Sequence, residues 1–334
     1  MISSYEQQYM QALQKIYENG FEDGMNERTG KSTKRLPGIV FHVDVEKEFP
    51  ILTSKFVAGR TALREILWIF KDQSNNIHDL HAKIWDEWAD ENGSIGKAYG
   101  YQISQPISIF TDPIHKTKES FRSYKNQAEF ILEYLREFPT GRWAIADLWN
   151  PSELAGMNLV PCCYSSSWNL DGGRLNCTLM QRSGDMPYGV PFNTTQYAEL
   201  MMLFAKDLGV KPGILTHVIS DAHIYDNQMD GVKLQLEYFK TMLYFRELGE
   251  NSTEVQDKIR HCIELYNEYN EKLPGVAYDF ATISNMMEAA ITCEPKFIIH
   301  DKDTKFDFFN VSVNDCEIVD YYNMGKISFG EVAV

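Results

Sequence analysis

The feature that most constrains this fold is a pair of extended runs joined by an Asp-Gly-Gly turn. Residues 160–170 and 174–182 flank Asp171-Gly172-Gly173, and glycine readily adopts the positive φ angles that tight hairpin turns need. The second run alternates like a strand with one buried face, with apolar Leu175, Cys177 and Leu179 between polar Arg174, Asn176 and Thr178. The pattern predicts an antiparallel β-hairpin whose open ends lie side by side.

Chemically reactive side chains lie at the open ends of this hairpin. Cys162 follows Pro161 on the first run, while Arg182 ends the second and Ser183 comes directly after it. A cysteine thiolate is a strong nucleophile that a nearby positive charge stabilises, and a guanidinium beside a hydroxyl suits a phosphate. The arrangement predicts covalent chemistry on a phosphorylated small molecule. The alternative is that Cys162 is a small buried apolar residue; on a strand, Cys163 faces the opposite side.

Length and composition exclude several classes of protein. The 334 residues, 44% of them hydrophobic, can form one large domain or two, and no run of eighteen apolar residues is present to span a membrane. The six cysteines show no Cys-x-x-Cys pair or disulfide framework, and the first residues lack signal-peptide features, so we expect a cytoplasmic protein. The net charge of −15 disfavours nucleic acids and membrane surfaces as partners.

Apolar periodicity predicts the remaining elements. Helical spacing or apolar content indicates helices, and alternation indicates strands. The predicted helices cover residues 5–17, 61–71, 126–138, 193–208 and 224–239, and the predicted strands cover residues 39–45, 142–149 and 214–220. The basic stretch 28–36, with its glycine and threonines, predicts a mobile loop. Strands and helices mix without strict alternation, which favours the α+β class.

A series of short motifs resembles the thymidylate synthase family almost from end to end. Each block alone is weakly specific, but their number and order together are highly specific. The blocks are Glu65-Ile66-Leu67-Trp68, Ile84-Trp85-Asp86-Glu87-Trp88, Gly96-Lys97-Ala98-Tyr99-Gly100, Leu148-Trp149-Asn150-Pro151, Pro161-Cys162, Gln181-Arg182-Ser183-Gly184-Asp185-Met186, Pro191-Phe192-Asn193, Gly213, Asp221-Ala222-His223-Ile224-Tyr225 and Val332-Ala333-Val334.

The resemblance implies an architecture. It predicts a large mixed sheet with helices packed on one face, and an obligate homodimer formed by packing the sheets of two subunits back to back. Residues 1–334 would form a single catalytic domain. Residues 242–292, where the family usually has a short connection, would be a helical insertion without a chemical role.

The resemblance also implies an activity. It predicts reductive methylation of deoxyuridylate (dUMP) to thymidylate (dTMP), with 5,10-methylenetetrahydrofolate as carbon donor and reductant and with no metal. Cys162 resembles the nucleophile that adds to C6 of the pyrimidine. Glu65 matches a carboxylate that organises a proton network, and Tyr99 matches a group that helps to remove the C5 proton through water. Asn193 matches the amide that reads O4 and N3–H of uracil.

The remaining ligand contacts follow from the same resemblance. Arg28, Arg182 and Ser183 match phosphate ligands, and Arg142 matches a phosphate ligand contributed across the dimer interface. The others are His223 and Tyr225 for the deoxyribose 3′-hydroxyl, Asp185 for the pterin ring of the folate, Trp85, Gly189 and Phe192 for its hydrophobic surroundings, and Val334 for a tail that closes over the ligands.

Four departures from the family pattern leave alternatives open. Cys163 and Gln228 stand where histidines are common, Ser167 where a glutamine is common, and Trp143 in place of a second arginine. A folate-dependent pyrimidine hydroxymethylase would share every step except the last, in which water replaces hydride, although Asn193 argues against a cytidylate enzyme. A non-catalytic nucleotide-binding relative is a third interpretation.

Overall fold

A large mixed β-sheet forms the centre of the protein. The computed structural model describes residues 2–27, 29–270, 278–300 and 305–330. The helices are α1 (Ser4–Asn19), α2 (Gly59–Phe70), α3 (Ile77–Leu80), α4 (Gly100–Ile103), α5 (Gln127–Glu137), α6 (Gly189–Leu208), α7 (Met229–Leu248), α8 (Thr253–Asn270) and α9 (Phe280–Thr292). Short 3₁₀ helices cover Asp86–Trp88, Leu154–Gly156, Asp226–Gln228, Phe308–Asn310 and Val313–Asp315.

The strands form one main sheet and two small ones. They are β1 (Phe21–Asp23), β2 (Thr33–Asp44), β3 (Ile107–Phe110), β4 (Phe121–Tyr124), β5 (Ile145–Asp147), β6 (Cys163–Asp171), β7 (Arg174–Gln181), β8 (Gly184–Asp185), β9 (Lys211–Tyr225), β10 (Lys296–Ile299) and β11 (Cys316–Val319). The main sheet has the order β1-β2-β9-β7-β6-β5, with β8 also paired to β9. β7 and β8 run parallel to β9, whereas β2 is antiparallel to it. β3 pairs with β4, and β10 pairs with β11.

The predicted hairpin is confirmed. β6 and β7 pair in antiparallel register from Asp171↔Arg174 at the turn to Cys163↔Gln181 at the open end. Gly172 and Gly173 both have positive φ, at +56° and +80°, a conformation that other residues adopt at a cost. A register shift between Cys163 and Ser165 ends the regular ladder beside Cys162.

Helices cover one face of the sheet, as predicted. Leu175, Cys177 and Leu179 of β7 are almost completely buried, and α6 packs on this side of β7 and β9. On the opposite face the residues are half-buried or exposed, and that face continues into exposed Val40 of β2 and Ile145 of β5. In the described part of the chain, the sheet therefore has one face covered by helices and one uncovered face.

Strand pairing changes several predicted boundaries. β9 continues to Tyr225 because its last residues pair with residues 33–36 of β2. Ile224 is therefore in a strand rather than a helix, and α7 begins at Met229. For the same reason the second half of the predicted loop 28–36 is β2. The predicted strand 142–149 is regular only over Ile145–Asp147, which pairs with β6.

Residues 242–292 are largely helical where the structure describes them. α7 ends within this segment, and α8 and α9 pack against it and against each other. Val255 and Ile259 of α8 and Ile283 of α9 are completely buried, so these helices extend the core. That the segment is an insertion without chemistry stays a prediction. In the described ranges, no helix combines the length and the apolarity needed to cross a bilayer.

Two fully buried glutamates differ in how their carboxyl groups are satisfied. Glu6 of α1 accepts hydrogen bonds from the backbone N–H of Thr53 (2.9 Å), the hydroxyl of Thr53 (2.7 Å) and the backbone N–H of Ser54 (2.6 Å). Glu199 of α6 has no partner for either oxygen among the described residues. Burial raises the pKa of Glu199 well above its usual value, which favours the protonated carboxyl.

Glu199→Leu is expected to stabilise the fold, because it removes an unpaired polar group from the core. The free energy of unfolding should rise by about 1–3 kcal/mol at pH 7. Since the folded pKa lies above the unfolded one, the wild-type residue costs more stability as pH rises above about 4.3, and the advantage of the variant should grow with pH.

The matched control is Glu6→Leu, which strands two buried backbone donors and should destabilise by about 2–4 kcal/mol. Urea unfolding of both variants at pH 5 and pH 8 makes the comparison. A destabilised Glu199→Leu would show that the carboxyl has a stabilising role.

Candidate functional site

Arg182 binds the backbone around Cys162 at the open end of the hairpin. Its backbone N–H donates to the carbonyl of Cys162 (2.9 Å), and its Nε and Nη2 donate to the carbonyls of Pro161 (3.0 Å) and Val160 (2.8 Å). Nη2 lies 3.8 Å from the Sγ atom of Cys162, whose side chain is half-buried. The structure thus brings the candidate nucleophile and a positive charge together, as the hairpin predicts.

Tyr99 reaches the same segment from a turn before α4. The backbone N–H of Cys162 donates to the Tyr99 hydroxyl (3.1 Å). Tyr99 has a φ of +42°, which is unusual for a residue other than glycine, so the surrounding contacts must hold its backbone in place. Burial raises the pKa of the phenol well above its usual value, and the hydroxyl stays neutral.

Glu65 lies on α2 with its carboxyl group buried. Nε1 of Trp85 donates to one oxygen, and Nε2 of Gln196 donates to the other (2.6 Å). Burial raises the pKa of Glu65 to about 7, although both hydrogen bonds act to lower it. The ring of Trp85 also packs against Tyr99, with centroids 5.1 Å apart. The carboxyl and the phenol are therefore held by one indole ring.

Asn193 lies in α6 between two glutamine side chains. Its Oδ1 accepts from Nε2 of Gln181 (3.3 Å), and its Nδ2 donates to Oε1 of Gln196 (3.3 Å). Gln196 thereby connects Asn193 to Glu65. Sequence reasoning did not single out either glutamine as a site residue. The available signal was spacing: Gln196 follows Asn193 by three residues, so both lie on one face of a helix that is otherwise mostly apolar.

Asp185, His223 and Tyr225 are brought together by the pairing of β8 with β9. Asp185 lies opposite His223, whose ring centroid is 5.0 Å from that of Tyr225. Asp185 accepts from the backbone N–H of Tyr188 (3.2 Å) and from Nε2 of Gln228 (3.0 Å). Gln228, which stands where the family commonly has a histidine, in turn accepts from the backbone N–H of Tyr225 (2.9 Å). It therefore links Tyr225 to Asp185. Burial raises the pKa of Asp185, and His223 opposes the shift.

The other predicted site residues fall into three groups. Ser183 follows Arg182, and Gly189 and Phe192 lie in the first turn of α6; all three are half-buried. Arg142 is exposed on the segment before β5, the edge strand. Arg28 and Val334 lie outside the described residues. In the part of the chain that is described, no group of three or more His, Cys, Asp or Glu residues is arranged to hold a metal ion.

Cys163 and Ser167, two of the departures from the family pattern, lie on opposite faces of β6. Cys163 is buried, and burial raises the pKa of its thiol well above the usual value, which makes it a poor nucleophile. Ser167 is half-buried on β6, between buried Ser166 and Trp168, and thus on the uncovered face of the sheet.

The chain is similar to known proteins along most of its length. The thymidylate synthase family model matches residues 7–274. The chain belongs to this family. A thymidylate synthase of Clostridium beijerinckii is 44% identical over 238 residues, 70% of this chain and 82% of that protein. One of Bacillus licheniformis is 36% identical over 246 residues, 71% of this chain and 85% of that protein.

A solved structure agrees with this assignment. The thermostable thymidylate synthase A from Bacillus subtilis is similar to the present fold with a TM-score of 0.72 and 28% sequence identity, and the match covers 99% of both chains. The family resemblance inferred from the motifs and the α+β fold are confirmed. The roles of the individual site residues stay predictions.

Trp85→Phe is expected to raise the pKa of Glu65 above its wild-type value of about 7. The indole N–H donates to the carboxylate and stabilises its charge, so its removal favours the protonated form. The carboxyl ¹³C shift of labelled glutamate, assigned with Glu65→Gln, measures the change across pH 5–9.

Trp88→Phe is the control, because Trp88 packs against Trp85 without bonding to Glu65. An unchanged pKa in Trp85→Phe would show that the indole does not set the charge of this carboxyl.

Proposed function

We propose that this chain catalyses the reductive methylation of dUMP to dTMP with 5,10-methylenetetrahydrofolate. The observation that carries the proposal is the 3.8 Å separation between the thiol of Cys162 and the guanidinium of Arg182. A cation at this distance favours the thiolate and offers a partner for the substrate phosphate. The family similarity supports the same activity. We expect a cytoplasmic enzyme without nucleic-acid or membrane partners.

The first step is addition of the Cys162 thiolate to C6 of uracil. The S–C6 bond forms, the C5–C6 π electrons move toward C5, and O4 takes up negative charge. Asn193, from one side of the pocket, would donate to O4 and accept from N3–H. Arg182 and Ser183, with Arg28 and the Arg142 of a second subunit, would hold the phosphate, and His223 and Tyr225 would bind the 3′-hydroxyl.

Proton movement is assigned to Glu65 and Tyr99. A carboxyl with a pKa of about 7 gains and loses a proton readily near neutral pH, which suits a group that organises proton transfer around the pyrimidine. Tyr99 is neutral because burial raises its pKa. It therefore acts through its hydroxyl, passing the C5 proton to water rather than taking it as a phenolate.

The residues around Asp185 fit a reduced folate. The carboxyl of Asp185 is held by Tyr188 and Gln228 and can accept N–H groups of a pterin ring. Trp85 and half-buried Phe192 would supply apolar surface to the ring. When bound, methylenetetrahydrofolate supplies the one-carbon unit and the hydride. The chain's part is to bind and orient it and, through the terminal Val334, to exclude water. We assign no metal to the reaction.

The uncovered face of the sheet supports a homodimer. Val40, Trp143 and Ile145 are large apolar residues exposed on or next to this sheet, and burying them against a second copy would be favourable. Arg142 precedes Trp143 on the same edge. We therefore propose that the sheets of two subunits pack together and that Arg142 completes the phosphate site of the other subunit.

A covalent adduct tests the nucleophile. Wild type incubated with 5-fluoro-dUMP and methylenetetrahydrofolate should gain the mass of both ligands, because fluorine at C5 cannot leave as a proton would. Cys162→Ser should form no adduct and lose turnover by at least about 10⁴-fold, yet bind dUMP. Cys163→Ser should still form the adduct. If wild type formed no adduct, the interpretation of this chain as a non-catalytic nucleotide-binding protein would be favoured.

Product analysis separates the synthase from the hydroxymethylase. We expect dTMP with dihydrofolate, seen as rising absorbance as the folate is oxidised. Formation of 5-hydroxymethyl-dUMP with tetrahydrofolate would instead show that water finishes the reaction.

Mixed dimers test the contribution of Arg142. Cys162→Ser and Arg142→Glu should each lose most activity as homodimers. In a mixed dimer, one site carries both defects, but the other combines an intact Cys162 with an intact Arg142 from the opposite subunit. Co-refolding of the two inactive variants should therefore restore activity to a clear fraction of wild type. No recovery in dimers confirmed by light scattering would place Arg142 outside the shared site.

A further inference from the structure

A continuous row of polar side chains runs from Glu65 to His217 through the proposed base-reading amide of Asn193, and all of them except the half-buried Asn193 are buried. Gln196 donates to Glu65 (2.6 Å) and accepts from Asn193 (3.3 Å). Asn193 accepts from Gln181 (3.3 Å), whose Oε1 lies 2.7 Å from Nε2 of His217. Each amide in the row uses its oxygen on one side and its nitrogen on the other. We refer to these five residues as the amide row.

Both ends of the amide row fix its direction. The two oxygens of Glu65 accept from Trp85 and Gln196, so Gln196 must present its NH₂ group to the carboxylate and its oxygen to Asn193. At the other end, Nε2 of Gln181 also donates to the carbonyl of Ser183 (2.9 Å), which can only accept.

A neutral His217 is compatible with this direction. Burial lowers its pKa to about 3, so the ring is neutral. With the oxygen of Gln181 facing Nε2, that nitrogen carries the hydrogen, and Nδ1 shares the hydroxyl hydrogen of Thr194 (2.9 Å) with the carbonyl of Val190 (2.8 Å). The Asn193 oxygen must then point to Gln181 and its NH₂ group to Gln196.

The direction matters because one amide can read either pyrimidine. Asn193 keeps one N–H and one lone pair beyond those used in the row, and this pair matches O4 and N3–H of uracil. Cytosine has a donor at position 4 and an acceptor at N3, so it needs the same amide turned by 180°. Turning it would set oxygen against oxygen at Gln196 and NH₂ against NH₂ at Gln181. The row thus opposes cytosine even though the amide itself does not.

We propose that Gln196 is a positioning residue for base selection: by anchoring the Asn193 amide to the carboxylate of Glu65, it makes the site choose uracil over cytosine. This inference rests on the proposed function, since it takes dUMP as the substrate. It also joins base reading to proton transfer, because the same carboxyl serves both. A proton on the oxygen that faces Gln196 would favour the reversed amide.

Gln196→Met tests the proposal, because methionine has a similar volume and makes neither hydrogen bond. We expect the ratio of dissociation constants for dCMP and dUMP to fall about tenfold or more, as the freed Asn193 turns. Equilibrium binding by calorimetry gives the ratio. Gln235→Met is the control, since Gln235 is equally buried on α7 and bonds to Ser54 outside the row; its ratio should equal that of wild type.

A double mutant distinguishes positioning from general loss of structure. Asn193→Asp removes the directional amide, so adding Gln196→Met to it should leave the ratio unchanged, whereas a structural defect would act in both backgrounds. If Gln196→Met does not fold, Gln181→Met removes the opposite hydrogen bond to Asn193 and should lower the ratio in the same way.

The outcomes separate this inference from the proposed function. Failure of wild type to form the 5-fluoro-dUMP adduct would overturn the function itself. An adduct-forming Gln196→Met or Gln181→Met variant with the wild-type ratio would overturn only the role of the amide row. An equal effect of Gln196→Met in the Asn193→Asp background would do the same.

Discussion

The site depends on the way Arg182 binds the backbone of residues 160–162. Strand pairing alone ends at Cys163, where the register shifts, and the segment before it would otherwise be a loop. Arg182 holds this segment through one backbone and two side-chain hydrogen bonds, which reach the carbonyls of residues 160–162. Because these bonds use Nε and Nη2, the Nη1 hydrogens make no hydrogen bond among the described residues. The same guanidinium can therefore hold the proposed nucleophile in place and still bind the phosphate in the proposed reaction.

The polar side chains behind the pocket are tolerated because they satisfy one another. The amide row contains a carboxyl, three amides and an imidazole. Each of these groups would cost several kcal/mol of desolvation if it were buried without a hydrogen-bond partner. As a continuous row from Glu65 to His217, each member has a partner, and the close packing of the core leaves few alternative arrangements. Glu199, on the same helix, shows the contrast: its carboxyl is buried without a partner among the described residues.

The sequence predicts local features of this protein better than pairings between distant segments. The turn at Gly172 and Gly173 and the alternation of β7 were enough to place Cys162 near Arg182, because a hairpin determines its own register. The predicted end of β9 was wrong, since residues 224–225 have helical spacing with residues 228–239 but are held as a strand by β2, nearly two hundred residues earlier. The bonds of Gln196 and Gln181 depend on packing α6 against α2 and β7, and no local pattern encodes them.

Few of the polar side chains in the amide row and beside Asp185 change charge near neutral pH. Within the amide row, burial keeps His217 neutral by lowering its pKa, and the amides cannot ionise, so Glu65, with a pKa of about 7, is the member that changes charge. Near Asp185, the proposed folate anchor, a neutral Gln228 joins this carboxyl to the backbone of Tyr225. An amide has a fixed donor and a fixed acceptor at every pH, whereas a histidine there would lose its acceptor when it is protonated. The link from Asp185 to Tyr225 therefore keeps its hydrogen-bond pattern across pH, whereas Asn193, through Gln196, is tied to a carboxyl that exchanges a proton near neutrality.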